Sequence, residues 1–150
     1  MQLSNIITPE RILSSLDGAS KKRVLELTAE FIAEESQIDS EEIYQGLIDR
    51  ERLGSTGIGY GVAIPHCRVT SLGDDETRGY LVQLNQGVDF DSIDGQNVEL
   101  LFVLLVPEST NQAHLNLLAQ LADCFSNDMF RRDLQLATDS DELFEIAQRA

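Results

Sequence analysis

Residues 98–106 read Val-Glu-Leu-Leu-Phe-Val-Leu-Leu-Val, apolar at every position except Glu99. A strand with one face in water alternates apolar and polar residues, so a nearly unbroken apolar run marks a central strand covered on both faces. Its continuous part, Leu100 to Val106, is far shorter than the ~20 residues of a membrane helix. Upstream, Tyr80, Leu81, Val82 and Leu84 lack helical spacing and read as a second strand. Val88-Asp89-Phe90 and the Asp94-Gly95 turn predict a short strand and a hairpin-like connection between the two.

Helical patterns lie on both sides of this block. After Pro107, Leu115, Leu118, Leu121, Ala122 and Phe125 share one stripe, and shorter helices are expected around Met129 to Leu136 and Asp141 to Ala147. At the other end, Thr8-Pro9-Glu10 has the form of a cap, a first-turn proline and a first-turn acid, predicting a short helix from Pro9 to Leu16. Ser20 then caps a second helix with Val24, Leu25, Leu27, Ala29, Phe31 and Ile32 along one side. A third starts at Asp39 or Ser40, turns Ile43, Tyr44, Leu47 and Ile48 inward, and ends near Leu53-Gly54. Helices, then strands, then helices predict one α/β domain over residues 1–150, its sheet sandwiched between helical layers. No repeat, low-complexity stretch or linker interrupts it.

The chain carries 11 Lys+Arg against 26 Asp+Glu, a net charge of −15. Such an excess repels phosphate backbones and anionic lipid, which argues against nucleic acid and membrane surfaces as partners and favours a basic protein. The N-terminal MQLSNIITPERIL lacks the basic start and apolar stretch of a secretory signal. With two cysteines, Cys67 and Cys124, the expectation is a reduced, cytoplasmic protein.

Between the third helix and the strands lies GSTGIGYG, Gly54 to Gly61, followed by Val62-Ala63-Ile64-Pro65. A dinucleotide fingerprint runs strand, glycine loop, helix; here the order is helix, loop, strand. A Walker loop needs a lysine, and none follows Lys22. On their own the glycines fit a flexible or tightly turned loop.

The two histidines are more informative. His66 ends the short strand, and Pro65 before it lacks an amide donor, so the strand stops there or lies at an edge. His114 falls near a helix start, three residues after Asn111, a plausible cap; it also shares the Leu118, Leu121 and Phe125 stripe, as a boundary histidine would. His66 and Cys67 occupy successive strand positions and so face opposite ways, while His114 and Cys124 stand about 15 Å apart along a helix. No metal cluster and no Cys–His nucleophile pair follows, and both cysteines read as small buried hydrophobes. Around His66 the charges are Arg50, Arg52 and Arg68 against Glu51 alone, a cationic spot in an acidic chain. The amides of Gly57 and Gly59 and the hydroxyls of Ser55 and Thr56 add a candidate phosphate cradle. Arginine, histidine and unhindered backbone together point to a phosphorylated histidine.

These residues also carry a family likeness. LIDRERLGSTGIGYGVAIPH, Leu47 to His66, closely resembles the motif of the fructose/mannitol-type IIA proteins of the phosphoenolpyruvate-dependent phosphotransferase system. LLFVLLVPES…HLNLLAQLA, Leu100 to Ala122, resembles that family's second motif. The unfused length, GSTGIG and the SKKRVLE helix look most like the nitrogen-regulatory branch. The resemblance implies a three-layer α/β/α domain with a mixed sheet, no cofactor and no metal. It implies that His66 accepts a phosphoryl group through Nε2 from an HPr-like histidine phosphocarrier, with Arg50 and His114 as active-site assistants. In the nitrogen branch the phosphorylation state signals to proteins such as potassium-transport regulators. In sugar-specific members, the rival reading, the group passes to a IIB domain. A third reading, a binding module that keeps the fold without the reaction, is disfavoured by the presence of Arg50, His66 and His114 together.

Overall fold

The computed structural model describes residues 3–72, 77–108 and 112–150, the first three residues of the last segment by backbone alone. In chain order the elements are β1 (Ile12–Leu16), α1 (Lys21–Ser36), α2 (Ser40–Arg52), β2 (Gly57–Gly59), β3 (Val62–Ala63), β4 (His66–Val69), β5 (Arg78–Val88), β6 (Val98–Pro107), α3 (Gln112–Phe125), α4 (Asp128–Leu136) and α5 (Ser140–Ala147). They form a six-stranded mixed sheet in the order β1-β5-β6-β3-β2, with β4 pairing β6 beyond β3. β5 and β6 are antiparallel, whereas β1 runs parallel to β5, and β3 and β4 parallel to β6.

The apolar run sits where its pattern predicts. Leu101, Val103 and Leu105 of β6 enter a core shared with Val24, Leu25 and Ile32 of α1 and Ile43 and Leu47 of α2. Leu100, Phe102, Leu104 and Val106 enter the opposite core with Leu121 and Phe125 of α3, Leu134 of α4 and Leu143 of α5. The period of two therefore splits one apolar strand between two helical layers. Ser20 caps α1 as expected, accepting from the Arg23 amide at 3.1 Å.

Three local expectations are corrected. Pro9–Arg11 forms a single 3-10 turn, and Ile12–Leu16 is a strand rather than a helix. The spacing of Ile12, Leu13 and Leu16 suits a helical stripe, but the exposed edge of β5 takes the segment in parallel register, Ile12 opposite Leu81. Val88 closes β5 instead of opening a separate strand, and a connection over residues 89–97 leads into β6. Finally, the glycine-rich segment is a hairpin: β2 pairs antiparallel with β3 across Tyr60-Gly61, at φ 60° and 78°. Two consecutive left-handed residues make the turn that matches strand twist.

Candidate functional site

Pro65 separates β3 from β4, yet both follow the same edge of β6, so His66 opens β4 rather than ending the strand before it. Among the described residues β4 pairs with β6 alone, the edge position that Pro65 allows. Its side chains divide as alternation requires. Cys67 and Val69 are buried in the α1–α2 core, His66 is half-buried, and Arg68 is exposed.

The C-terminal turn of α2 brings Arg50 to this edge. Arg50 Nε donates to His66 Nε2 at 3.3 Å, and its Nη1 donates to the Gly54 carbonyl at 2.8 Å. On the other side of the ring, His66 Nδ1 lies 2.8 Å from the Ile64 carbonyl oxygen. A carbonyl only accepts and a guanidinium only donates, so both partners require the same neutral tautomer, protonated on Nδ1 with the lone pair on Nε2. The unprotonated nitrogen thus meets a guanidinium.

Both groups open into a cleft of about 560 Å³ between α2, β4 and α3, lined also by Gly46, Asp49, Leu53, Arg68, Leu115 and Leu118. Leu53 is 86% exposed and Leu115 51%, giving the cleft an apolar rim. Cys67 touches the cleft but is no nucleophile: burial, aided by the Glu42 carboxylate, pushes its thiol up to about 12. Cys124 is half-buried in a separate hollow between α3, α4 and α5, its thiol raised by burial and by Asp123. His114 falls in the first turn of α3 by backbone, as expected; its side chain and Asn111 lie outside the described residues.

The residues of the expected phosphate cradle make bonds within the protein. Ser55 Oγ donates to the Phe90 carbonyl at 2.5 Å and accepts from the Gly57 amide at 3.0 Å. The Thr56 amide donates to Glu51 Oε1 at 3.0 Å, and its hydroxyl donates to the same oxygen. Gly57 and Gly59 belong to β2, the first packed against Ser92 and the second beside Asp94, which accepts from the Tyr60 amide at 3.0 Å. These donors are spent on holding the hairpin. Glu51, buried at 6% exposure with Lys21 Nζ 2.6 Å from Oε2, had no distance signal in the sequence to link it to residue 21. Its one visible mark was to be the lone acid among the arginines.

The family model "Phosphoenolpyruvate-dependent sugar phosphotransferase system, EIIA 2" matches residues 5–150. The chain belongs to this family. The "Nitrogen regulatory protein" of Pseudomonas aeruginosa is 44% identical over 147 residues, 97% of this chain and 94% of that protein. Among solved structures, the nitrogen regulatory protein IIA-Ntr from Neisseria meningitidis superposes with a TM-score of 0.87 at 34% identity, covering 97% of this chain and 98% of that one. The Escherichia coli mannitol IIA, solved in complex with phosphorylated IIB, matches with a TM-score of 0.77 at 20% identity over 97% and 100% of the two chains; at that identity it shows the shared fold alone. The mixed sheet between helical layers is the IIA fold. As a IIA protein the chain is a phosphotransfer component. No helix among its described residues is long and apolar enough to cross a membrane.

Proposed function

We propose that this IIA protein is a cytoplasmic regulatory phosphocarrier whose His66 Nε2 accepts a phosphoryl group from an HPr-like histidine phosphocarrier. The observation that carries the reading is the single tautomer demanded by Ile64 and Arg50, which puts a lone pair on the nitrogen facing the cleft. In the transfer the donor's P–N bond breaks and the bond from phosphorus to His66 Nε2 forms. Nδ1 keeps its proton throughout, and the donor imidazole leaves with its electron pair. Transfer between two imidazoles needs alignment and charge stabilisation more than covalent help. Arg50, 3.3 Å from Nε2 before transfer, then exchanges its imidazole partner for two phosphoryl oxygens. His114, in the first turn of α3, enters the proposal as a second donor to phosphate. Ser55, Thr56 and Gly57 contribute by fixing the hairpin rather than by touching phosphate, because their donors are already bonded, and Gly59 contributes through its place in β2 beside Asp94.

The regulatory role rests on the likeness to nitrogen regulatory proteins and on charge. Phosphorylation adds about −2 to a cleft whose charged lining is Arg50 and Arg68 against Asp49, reversing the local field without refolding. Targets such as potassium-transport regulators would then distinguish the two forms. The test is incubation of the full chain with phosphoenolpyruvate, the first phosphotransferase enzyme and the carrier, followed by mass spectrometry. One phosphoryl group is expected on the wild type and none on His66→Ala; phosphorylation of that variant at His114 would overturn the assignment. Rapid onward transfer to a fructose- or mannitol-type IIB domain would replace the regulatory reading with the sugar-specific one.

A further inference from the structure

The site depends on a residue that never faces the cleft. Glu51 follows Arg50 in α2, but its side chain is 2% exposed and points into the protein. Oε1 accepts the Thr56 amide and hydroxyl, while Oε2 is neutralised by Lys21 at the start of α1. Lys21 in turn donates to the Phe90 carbonyl at 3.2 Å, the same oxygen that receives Ser55 Oγ. From Thr56 the bonding continues towards the site: the Thr56 carbonyl accepts from the Ile64 amide at 3.0 Å, and the Ile64 carbonyl accepts from His66 Nδ1. The circuit closes through His66 Nε2 and Arg50, one residue from Glu51 on α2. The successive bonds use different peptide groups, so no proton can travel along them; the circuit acts by holding positions.

We infer that Glu51 is the positioning residue for phosphoryl transfer: its buried carboxylate anchors Thr56, and through Ile64 it fixes the tautomer and orientation of His66 relative to Arg50. The inference rests on His66 being the acceptor, but its structural half can be read without any transfer. Replacing Glu51 alone would take from Lys21, whose side chain is 19% exposed, its partner at 2.6 Å and leave it the Asp91 carboxylate at 3.7 Å, so the pair is changed as a unit. Lys21→Met with Glu51→Gln keeps an oxygen that accepts the Thr56 amide, whereas Lys21→Met with Glu51→Leu removes it and leaves comparable apolar bulk. Nitrogen-15 NMR of the full-length protein reports the protonation of each His66 ring nitrogen. The first double variant should keep the wild-type pattern, protonated Nδ1 and lone-pair Nε2, and phosphorylate within about threefold of wild type. In the second the two nitrogen shifts should converge, as in an imidazole exchanging tautomers, with kcat falling about ten- to hundredfold and KM for the carrier unchanged. Identical His66 spectra in the two double variants would overturn the inference, whatever their rates. If no variant and not the wild type accepts phosphate, the functional reading fails while the spectra still decide this one.

Discussion

Residues 50–66 hold two sets of polar groups that meet opposite fates. Ser55, Thr56 and Gly57 turn their donors inward, to Glu51, Phe90 and each other. Arg50 and His66, at the two ends of the segment, meet at 3.3 Å beside an open cleft. In sequence both sets suggest phosphate binding, since donor chemistry is all that a sequence displays. Folding separates them by what they already hold: the donors of Ser55, Thr56 and Gly57 are bonded within the protein, whereas Arg50 and His66 hold each other beside a cleft, where a ligand can replace a partner. In the proposed transfer the hairpin is therefore the frame, and the arginine–histidine pair the moving part.

Changing the moving part should slow chemistry without unfolding the chain. Arg50→Ala removes charge-assisted hydrogen bonds worth about 1.5–3 kcal/mol, so phosphorylation of His66 should fall roughly ten- to hundredfold. The circular dichroism spectrum should not change. Arg50→Lys should recover little of the rate, because an ammonium cannot fork two oxygens. A wild-type rate in Arg50→Ala, measured as initial phosphoprotein formation, would dissolve the contrast between the two regions.

Changing the frame should do the reverse. A Cβ at Gly57 would overlap Ser92 Oγ and lie 3.0 Å from Ser92 Cβ, overpacking that costs about 1–3 kcal/mol. Gly57→Ala should lower the unfolding free energy measured in urea by that amount, and adding Ser92→Gly should restore most of it. Substrate-saturated phosphorylation of the folded fraction should change much less than in Arg50→Ala. A large loss of rate with unchanged stability would return Gly57 to the phosphate cradle.

How much of this was legible follows from the range of each signal. The β6 run announced a central strand because alternate residues serve two cores, a property written within nine positions. The helices α1 to α5 were legible from caps and stripes for the same local reason. The helix expected over Pro9–Leu16 failed because β1 exists only through its partner β5, some 70 residues downstream. Arg50 and His66 could be named from residue type and family likeness, but their contact depends on Pro65 breaking the edge strand where α2 ends. Lys21 and Glu51 were invisible as a pair, since nothing local in either segment specifies a buried bridge between α1 and α2.

The smallest expected effect sharpens the contrast at a single peptide bond. His66 and Cys67 are neighbours, yet one faces the cleft and the other lies in the α1–α2 core. Burial raises the Cys67 thiol from an ordinary 9.0 to about 12, with Glu42 adding to the shift. In the unfolded chain the thiol ionises above about pH 9, while in the folded protein it stays protonated to about pH 12. Over that interval the unfolded state holds fewer protons, so stability must fall as pH rises, whereas below pH 9 the contribution is fully present. At pH 10 the loss from this group should reach about 1 kcal/mol. Tyr80, raised by burial and by its bond to Glu35, adds a similar decline that begins above its ordinary value of 10.0. Cys67→Ala isolates the cysteine part: its urea midpoint should drop less between pH 8 and pH 10 than that of the wild type. The thiol reagent readout should agree, with Cys67 unreactive at pH 8 while the protein is folded. Equal pH slopes in the two proteins, or rapid labelling of native Cys67, would mean that β4 opens to solvent at its core face, and the rigid frame assigned to the residues around His66 would have to be abandoned.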